Sequence, residues 1–189
     1  MEKWIIPGII ILVAIILIML VVSTYNKLVK SRNRVSNSWS QIDVQLKRRF
    51  DLIPNLVETT KGYASHEKGI FEEFAKARNA YNSAAKISSV EGMAEANNML
   101  SSTLSRLLAV SEAYPELKAD KNFAEMMSNL KETEDKIAYA RQFYNDVVLT
   151  YNNLREVFPS NIIANMFGFK ESDYFKAAEV ERENVKVEF

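Results

Sequence analysis

The chain opens with nineteen consecutive uncharged positions, "WIIPGIIILVAIILIMLVV", Trp4 to Val22. As a helix this stretch spans about 28 Å at about 1.5 Å per residue, close to the roughly 30 Å hydrocarbon core of a bilayer. Trp4 and Tyr25 bracket it, where amphipathic rings favour the membrane interface. A cleaved signal peptide is the competing reading, since Lys3 supplies a minimal positive n-region. The run is longer than a usual signal core and no A-x-A site comes after it, so residues 1–24 are expected to be a retained single-pass transmembrane anchor.

Beyond the anchor the pattern takes a helical period. Val35, Trp39, Ile42, Leu46, Phe50, Ile53, Val57 and Ala64 recur at a mean spacing near 3.6, with Thr60 in step. No glycine or proline falls between Gly8 and Ile53, so the membrane helix is expected to run unbroken into the soluble domain. Pro54 predicts a kink within that helix, and Gly62, Ser65 and Gly69 predict a turn. A second helix is read from Ile70, Phe74, Ala77, Tyr81 and Ala84. "SSVE" places Ser88 and Glu91 at capping-box spacing before a third, striped by Met93, Ala96, Leu100, Leu104, Leu107 and Val110 and closed by Tyr114-Pro115. Asp120 should cap a fourth. There Phe123, Leu130, Ile137, Tyr144, Tyr151 and Phe158 repeat every seven residues, with Met126, Thr133, Ala140, Val147 and Leu154 three later, a coiled-coil seam.

The predicted fold is all-α: a transmembrane helix continuing into a long antiparallel, up-down-up-down four-helix bundle over residues 25–158. Residues 159–189 form a C-terminal tail. Alternating rises and descents of the four helices return Phe158 to the bilayer. The apolar Ile162, Ile163, Met166, Phe167 and Phe169 then predict a short amphipathic helix that either lies in the headgroup boundary or seals the base of the bundle. The acids Glu179, Glu181 and Glu183 fall beyond its apolar part.

Charge and composition remove several function classes. Lysine plus arginine and aspartate plus glutamate number 24 each, so net charge calls for no acidic partner. Without cysteine there is no disulfide, thiol nucleophile or Cys-ligated zinc. Five scattered glycines cannot build a phosphate loop. His66, the only histidine, sits in the first turn with tyrosine at position 63, so the Glu-x-x-His pair of bundle metal sites is missing. Ser-x-x-Lys occurs three times, at Ser65, Ser83 and Ser128, without companion motifs, and marks no nucleophile. The pairs Glu72-Glu73 and Glu134-Asp135 point about 100° apart on a helix, so neither predicts acid–base chemistry. No catalytic, cofactor-binding or metal-binding residue is assigned, and no cofactor is implied.

One polar signal remains. Lys27, Lys30, Arg32, Arg34, Lys47, Arg48 and Arg49 lie between Tyr25 and Phe50 against a single acid, Asp43. Nucleic acid would be neutralised by such a face. The first four cations, however, stand beside the anchor, where anionic headgroups attract them, and the last three fan around the helix as a solvated face. No nucleic-acid partner is expected. Trp4, Tyr25, Lys27, Lys30, Arg32, Arg34, Ile162, Ile163 and Phe167 are the candidate membrane-interface residues, with the lipid bilayer as partner. Positive charge after the anchor predicts a cytoplasmic location for the bulk of the chain. Leu28, Val29, Val44, Leu52 and Leu56 lie outside the main stripe of helix one and predict an exposed apolar face for self-association.

The long stretch "YNKLVKSRNRVSNSWSQIDVQLKRRFDLIPNLVETTKGYASHE" closely resembles the LemA family. So do "RQFYNDVVLTYNNLREVFPSNIIANMFGF" and the closing "YFKAAEVERENVKVEF". The resemblance implies a membrane-attached antiparallel helical bundle without an established enzymatic activity. Two functions emerge as expectations. The favoured one is a non-enzymatic scaffold of the bacterial cell envelope that forms homo-oligomers or binds another membrane protein. The alternative is a sensory or signalling input module acting through the first helix.

Overall fold

A computed structural model describes residues 4–176, and among them every regular element is helical. Helix α1 runs Ile5–Tyr63, α2 Lys68–Lys86, α3 Val90–Ser111, α4 Pro115–Ala119, α5 Lys121–Glu156 and α6 Ser160–Met166. The tail acids Glu179, Glu181 and Glu183 and the n-region Lys3 lie outside the described residues. The described residues divide into two compact units. One joins 4–39 with 144–172, the other 40–143 with 173–176.

α1 passes through Pro54 and continues to Tyr63, as the resumption of its apolar repeat predicted. The turn after it holds the exposed His66, whose carbonyl accepts the Lys68 N–H at 2.9 Å. All five stripe residues of α2, from Ile70 to Ala84, are buried. In α3 the stripe from Met93 to Leu107 is buried, and Val110 is half-buried. The cap of α3 shifts by one residue from the expected Ser88. Ser89 is the N-cap, its Oγ accepting the Gly92 N–H at 3.1 Å, while Ser88 takes a left-handed φ of 52° in the turn. Gly92 is required for close packing: a Cβ there would stand 2.9 Å from the Ala84 Cβ.

The short α4, which has no apolar repeat long enough to be read in advance, fills the interval between Pro115 and Asp120 and buries Leu117. Asp120 does open the next helix, its Oδ1 accepting the Phe123 N–H at 2.8 Å and its Oδ2 the Tyr63 hydroxyl at 2.9 Å. Along α5 the seven-residue series Phe123, Leu130, Ile137, Tyr144 and Tyr151 is buried, and of the positions three later only Thr133 is, with Met126, Ala140, Val147 and Leu154 half-buried; Phe158 lies beyond the helix and is exposed.

Two expectations about α1 are corrected. Leu28 and Leu56 are fully buried, and Val29 and Leu52 are half-buried, leaving only Val44 exposed, at 62%, from the proposed self-association face. The reason is a second register: Leu28, Val35, Ile42, Arg49 and Leu56 recur every seven residues and are all buried. Arg49, expected on a solvated face, fills one of these positions and is 1% exposed.

Candidate functional site: an interfacial surface and a buried arginine

The first unit carries the apolar span. Ile5 to Val22 present their large side chains outward, and no protein group covers the apolar window. This is one helical stretch long and apolar enough to cross a membrane. Trp4, 80% exposed, stands about 32 Å from Tyr25 at helical rise.

Tyr25 is built into a small aromatic cluster. Its ring lies 4.8 Å from that of Phe167 and 5.7 Å from that of Phe169, both steeply tilted, as aromatic quadrupoles favour. The Arg32 guanidinium sits 5.4 Å from the Phe169 ring centre, a cation–π distance. Gly168 makes this possible. Its φ of 69° ends α6 in a left-handed turn, where Phe169 donates its N–H to the Ala164 carbonyl at 2.9 Å and Gly168 donates to Asn165 at 3.2 Å. The chain after the turn is tied to α5. The Tyr151 hydroxyl donates to the Lys170 carbonyl at 2.7 Å, and the Asn152 amide exchanges two 3.0 Å bonds with the backbone of Ser172.

The segment after α5 thus does two things. Phe169 and Ala164 turn inward and are buried, which closes this end of the unit. Phe158, Ile162, Met166 and Phe167 remain more than half exposed, while Ile163 is half-buried. The apolar side chains of this segment are thus divided between the interior and the surface.

Lys27, Lys30 and Arg34 are exposed and share a cleft of about 740 Å³ on one side of α1. Across it stand Thr150, Asn153, Leu154 and Val157, and no carboxylate lines it. Of the residues predicted as interfacial, Tyr25, Arg32 and Phe167 therefore come together with Phe169, and the three other cations come together in the cleft. Trp4 stands apart at the far end of the span.

The second unit holds the polar arrangement that sequence reasoning missed. Arg49 forms an ion pair with Glu134 and donates to Asn97 Oδ1 and, at 3.1 Å, to Ser101 Oγ. Ser101 in turn donates to Glu134 at 3.1 Å. Burial lowers the guanidinium's pKa, and the Glu134 carboxylate opposes that shift. Its Nε has no hydrogen-bond partner among the described residues. A second cleft, about 520 Å³, opens beside this cluster between Ser105, Leu108, Met127 and Lys131. Phe50, the neighbour of Arg49, stacks on Tyr81 at 4.2 Å and 11°. Burial, with Asp43 and Asp51 nearby, pushes the Tyr81 hydroxyl up to about 12. The cluster brings three helices, α1, α3 and α5, to one charge. Among the described residues no group of three or more His, Cys, Asp or Glu is placed to hold a metal ion.

The profile of the LemA family matches residues 38–189. The chain belongs to the LemA family. That match covers the buried arginine cluster, the aromatic turn at Gly168 and the α5 side of the basic cleft, and begins after the span and the cleft's cations on α1. Among characterised relatives, Magnetosome protein MamQ 2 of Paramagnetospirillum magneticum (strain AMB-1) is 29% identical over 175 residues, covering 80% of this chain and 64% of the relative. Magnetosome protein MamQ of Magnetospirillum gryphiswaldense (strain MSR-1) is 27% identical over 174 residues with the same coverage. Protein LemA of Metamycoplasma hominis is 24% identical over 164 residues, 85% of this chain and 72% of that protein. The chain thus spans a little under two thirds of the length of the magnetosome relatives.

Proposed function

We propose that this LemA-family chain is a non-enzymatic, single-pass membrane protein with a structural role in the bacterial envelope. Its helices would pack as an antiparallel up-down-up-down bundle held against the cytoplasmic face of the bilayer. The observation that carries this reading is the first unit. An uncovered apolar span ends at Tyr25, and Tyr25 packs against a segment that exposes Phe158, Ile162, Met166 and Phe167. Apolar side chains so placed gain by entering the same boundary layer that receives Tyr25. Self-association remains part of the proposal, resting on exposed Tyr139 and Phe143 of α5 in place of the largely buried α1 face.

Two measurements test it. The full chain should stay with the membrane pellet after alkaline carbonate extraction, and its release would remove the anchor. A cysteine at the exposed Ser83 should resist a membrane-impermeant maleimide in intact cells. Ready labelling there would place the bulk of the chain outside.

A further inference from the structure

We propose that the cleft formed by Lys27, Lys30 and Arg34 of α1 with Asn153 of α5 binds the phosphate and polyol headgroup of an anionic bilayer phospholipid. This deepens the membrane reading above and depends on Trp4–Val22 being the span.

The cations are arranged for a shared ligand. Positions 27, 30 and 34 are spaced three and four apart, so they lie on one helical face, and all three line the same cleft. None of the three has an ion-pair partner among the described residues, and none of the ten lining residues is acidic. Arg32, from the same run, is directed elsewhere, onto Phe169. Three cations that converge without a carboxylate leave a concentrated positive field, which a phosphate monoanion relieves with charge-assisted hydrogen bonds.

The cleft is also amphipathic in the direction a lipid requires. Trp39 meets Tyr144, and Tyr25 meets Phe167, so the later residues of α5 lie toward the Lys27 end. Those later residues in the cleft are Leu154 and Val157, while Thr150 and Asn153 lie farther from the span. Apolar lining nearest the membrane suits the glycerol backbone and acyl roots, and the Thr150 hydroxyl and Asn153 amide farther out suit hydroxyl oxygens.

Depth selects the headgroup class. At about 1.5 Å per residue Lys27 lies about 8 Å past Val22, Lys30 about 12 Å and Arg34 about 18 Å. The interfacial layer adds roughly 5–8 Å on each side of the hydrocarbon core, so the two lysines fall near phosphate level, and their stems can bend back toward it. Arg34 stands about 18 Å past Val22, so it meets a headgroup by bending its side chain back on a tilted helix, and a glycerol group that extends beyond its phosphate shortens that distance. A volume of about 740 Å³ accommodates such a group.

The test uses the full chain in a neutral detergent, titrated with phosphatidylglycerol, phosphatidylcholine or inorganic phosphate and read by native mass spectrometry. Phosphatidylglycerol should be retained at least tenfold better than phosphatidylcholine, given about fivefold per cation near a headgroup. Lys27→Gln, Lys30→Gln and Arg34→Gln together should abolish that preference, while Lys47→Gln with Arg48→Gln should leave it. Asn153→Asp, which adds a carboxylate opposite the cations, should lower it in a chain whose cations are intact. Equal retention of the two lipids, or a preference that survives the triple substitution, would overturn the proposal. Inorganic phosphate that displaces phosphatidylglycerol at equal concentration would make the cleft a free-anion site and overturn the lipid assignment. Carbonate extraction reads the anchor separately, so a failed span and a failed headgroup site are told apart.

Discussion

One basic stretch supplies cations to two regions with opposite outcomes. In the first unit Lys27, Lys30 and Arg34 stay exposed, without carboxylate partners among the described residues, around an open cleft. In the second, Arg49 is withdrawn from water and held by Glu134, Asn97 and Ser101. The same residue type is therefore a free electrostatic surface in one place and part of the packed core in the other. What separates them is register: 49 continues the buried series 28, 35, 42 and 56, while 27, 30 and 34 do not fall on it. A charge run says little until it is laid on the helix that carries it.

The largest effect that would sharpen this contrast is an asymmetry around Arg49. Glu134→Leu leaves a buried cation without its carboxylate and should cost about 3 kcal/mol, the lower part of the range for breaking a buried pair because Glu134 is partly hydrated. On the order of 6–12 °C in Tm is expected from this for a chain of this size. Arg49→Met leaves only the partly exposed Glu134 and should cost less, and the double variant should recover most of the loss. Thermal melts of the three variants check this, and equal losses from both single changes would break the comparison.

Next in size is an alkaline transition. The Tyr81 hydroxyl is raised to about 12 from 10.0, so the folded state holds its proton more tightly than the unfolded one. That stabilisation is fully present below pH 10 and is lost as pH rises through about 12. Ultraviolet titration of the tyrosines should show a late component near pH 12 that shrinks in Tyr81→Phe. A smaller effect appears in acid. The Phe123 N–H and then the Tyr63 hydroxyl hold Asp120 below its usual 3.8. Its contribution is therefore present above about pH 4 and fades as pH falls through the lower folded value. The Tm gap between the native chain and Asp120→Asn should close over that acid range. Smallest of all, Lys27→Gln, Lys30→Gln and Arg34→Gln should each move stability by less than about 0.5 kcal/mol, since exposed cations without partners hold nothing in place. A destabilisation like that of Glu134→Leu would mean the cleft is structural.

Much of this was readable from the chain. The stripe of α2 was correct at all five positions because one face of an amphipathic helix repeats cleanly and nothing else competes. The LemA resemblance, carried by long segments from Tyr25 to the tail, holds. Legibility stopped where two periods overlapped. On α1 a 3.6-residue stripe through Phe50 and a seven-residue one through Arg49 run side by side. Taking the first alone made Leu28 and Leu56 look spare and Arg49 look wet. The second register was the available signal. The short α4 offered none, since five residues hold no repeat. The delivery of Phe169 onto Tyr25 by the Gly168 turn depends on contacts across 144 residues of chain, which no local pattern carries.

Arg49 and Glu134 are 85 residues apart. At about 5–20 residues per second, synthesis leaves on the order of 4–17 s between the appearance of one and the other. α2 and α3, joined by a three-residue turn, can pair within that interval because little chain has to be closed. α1 cannot complete its own burial then, since packing Arg49 before its carboxylate exists would strand a charge. The nascent chain thus stays open on one side of α1 until α5 begins to emerge, when the neutralisation of a single guanidinium lets that face close, ahead of the 144–172 segment that completes the first unit.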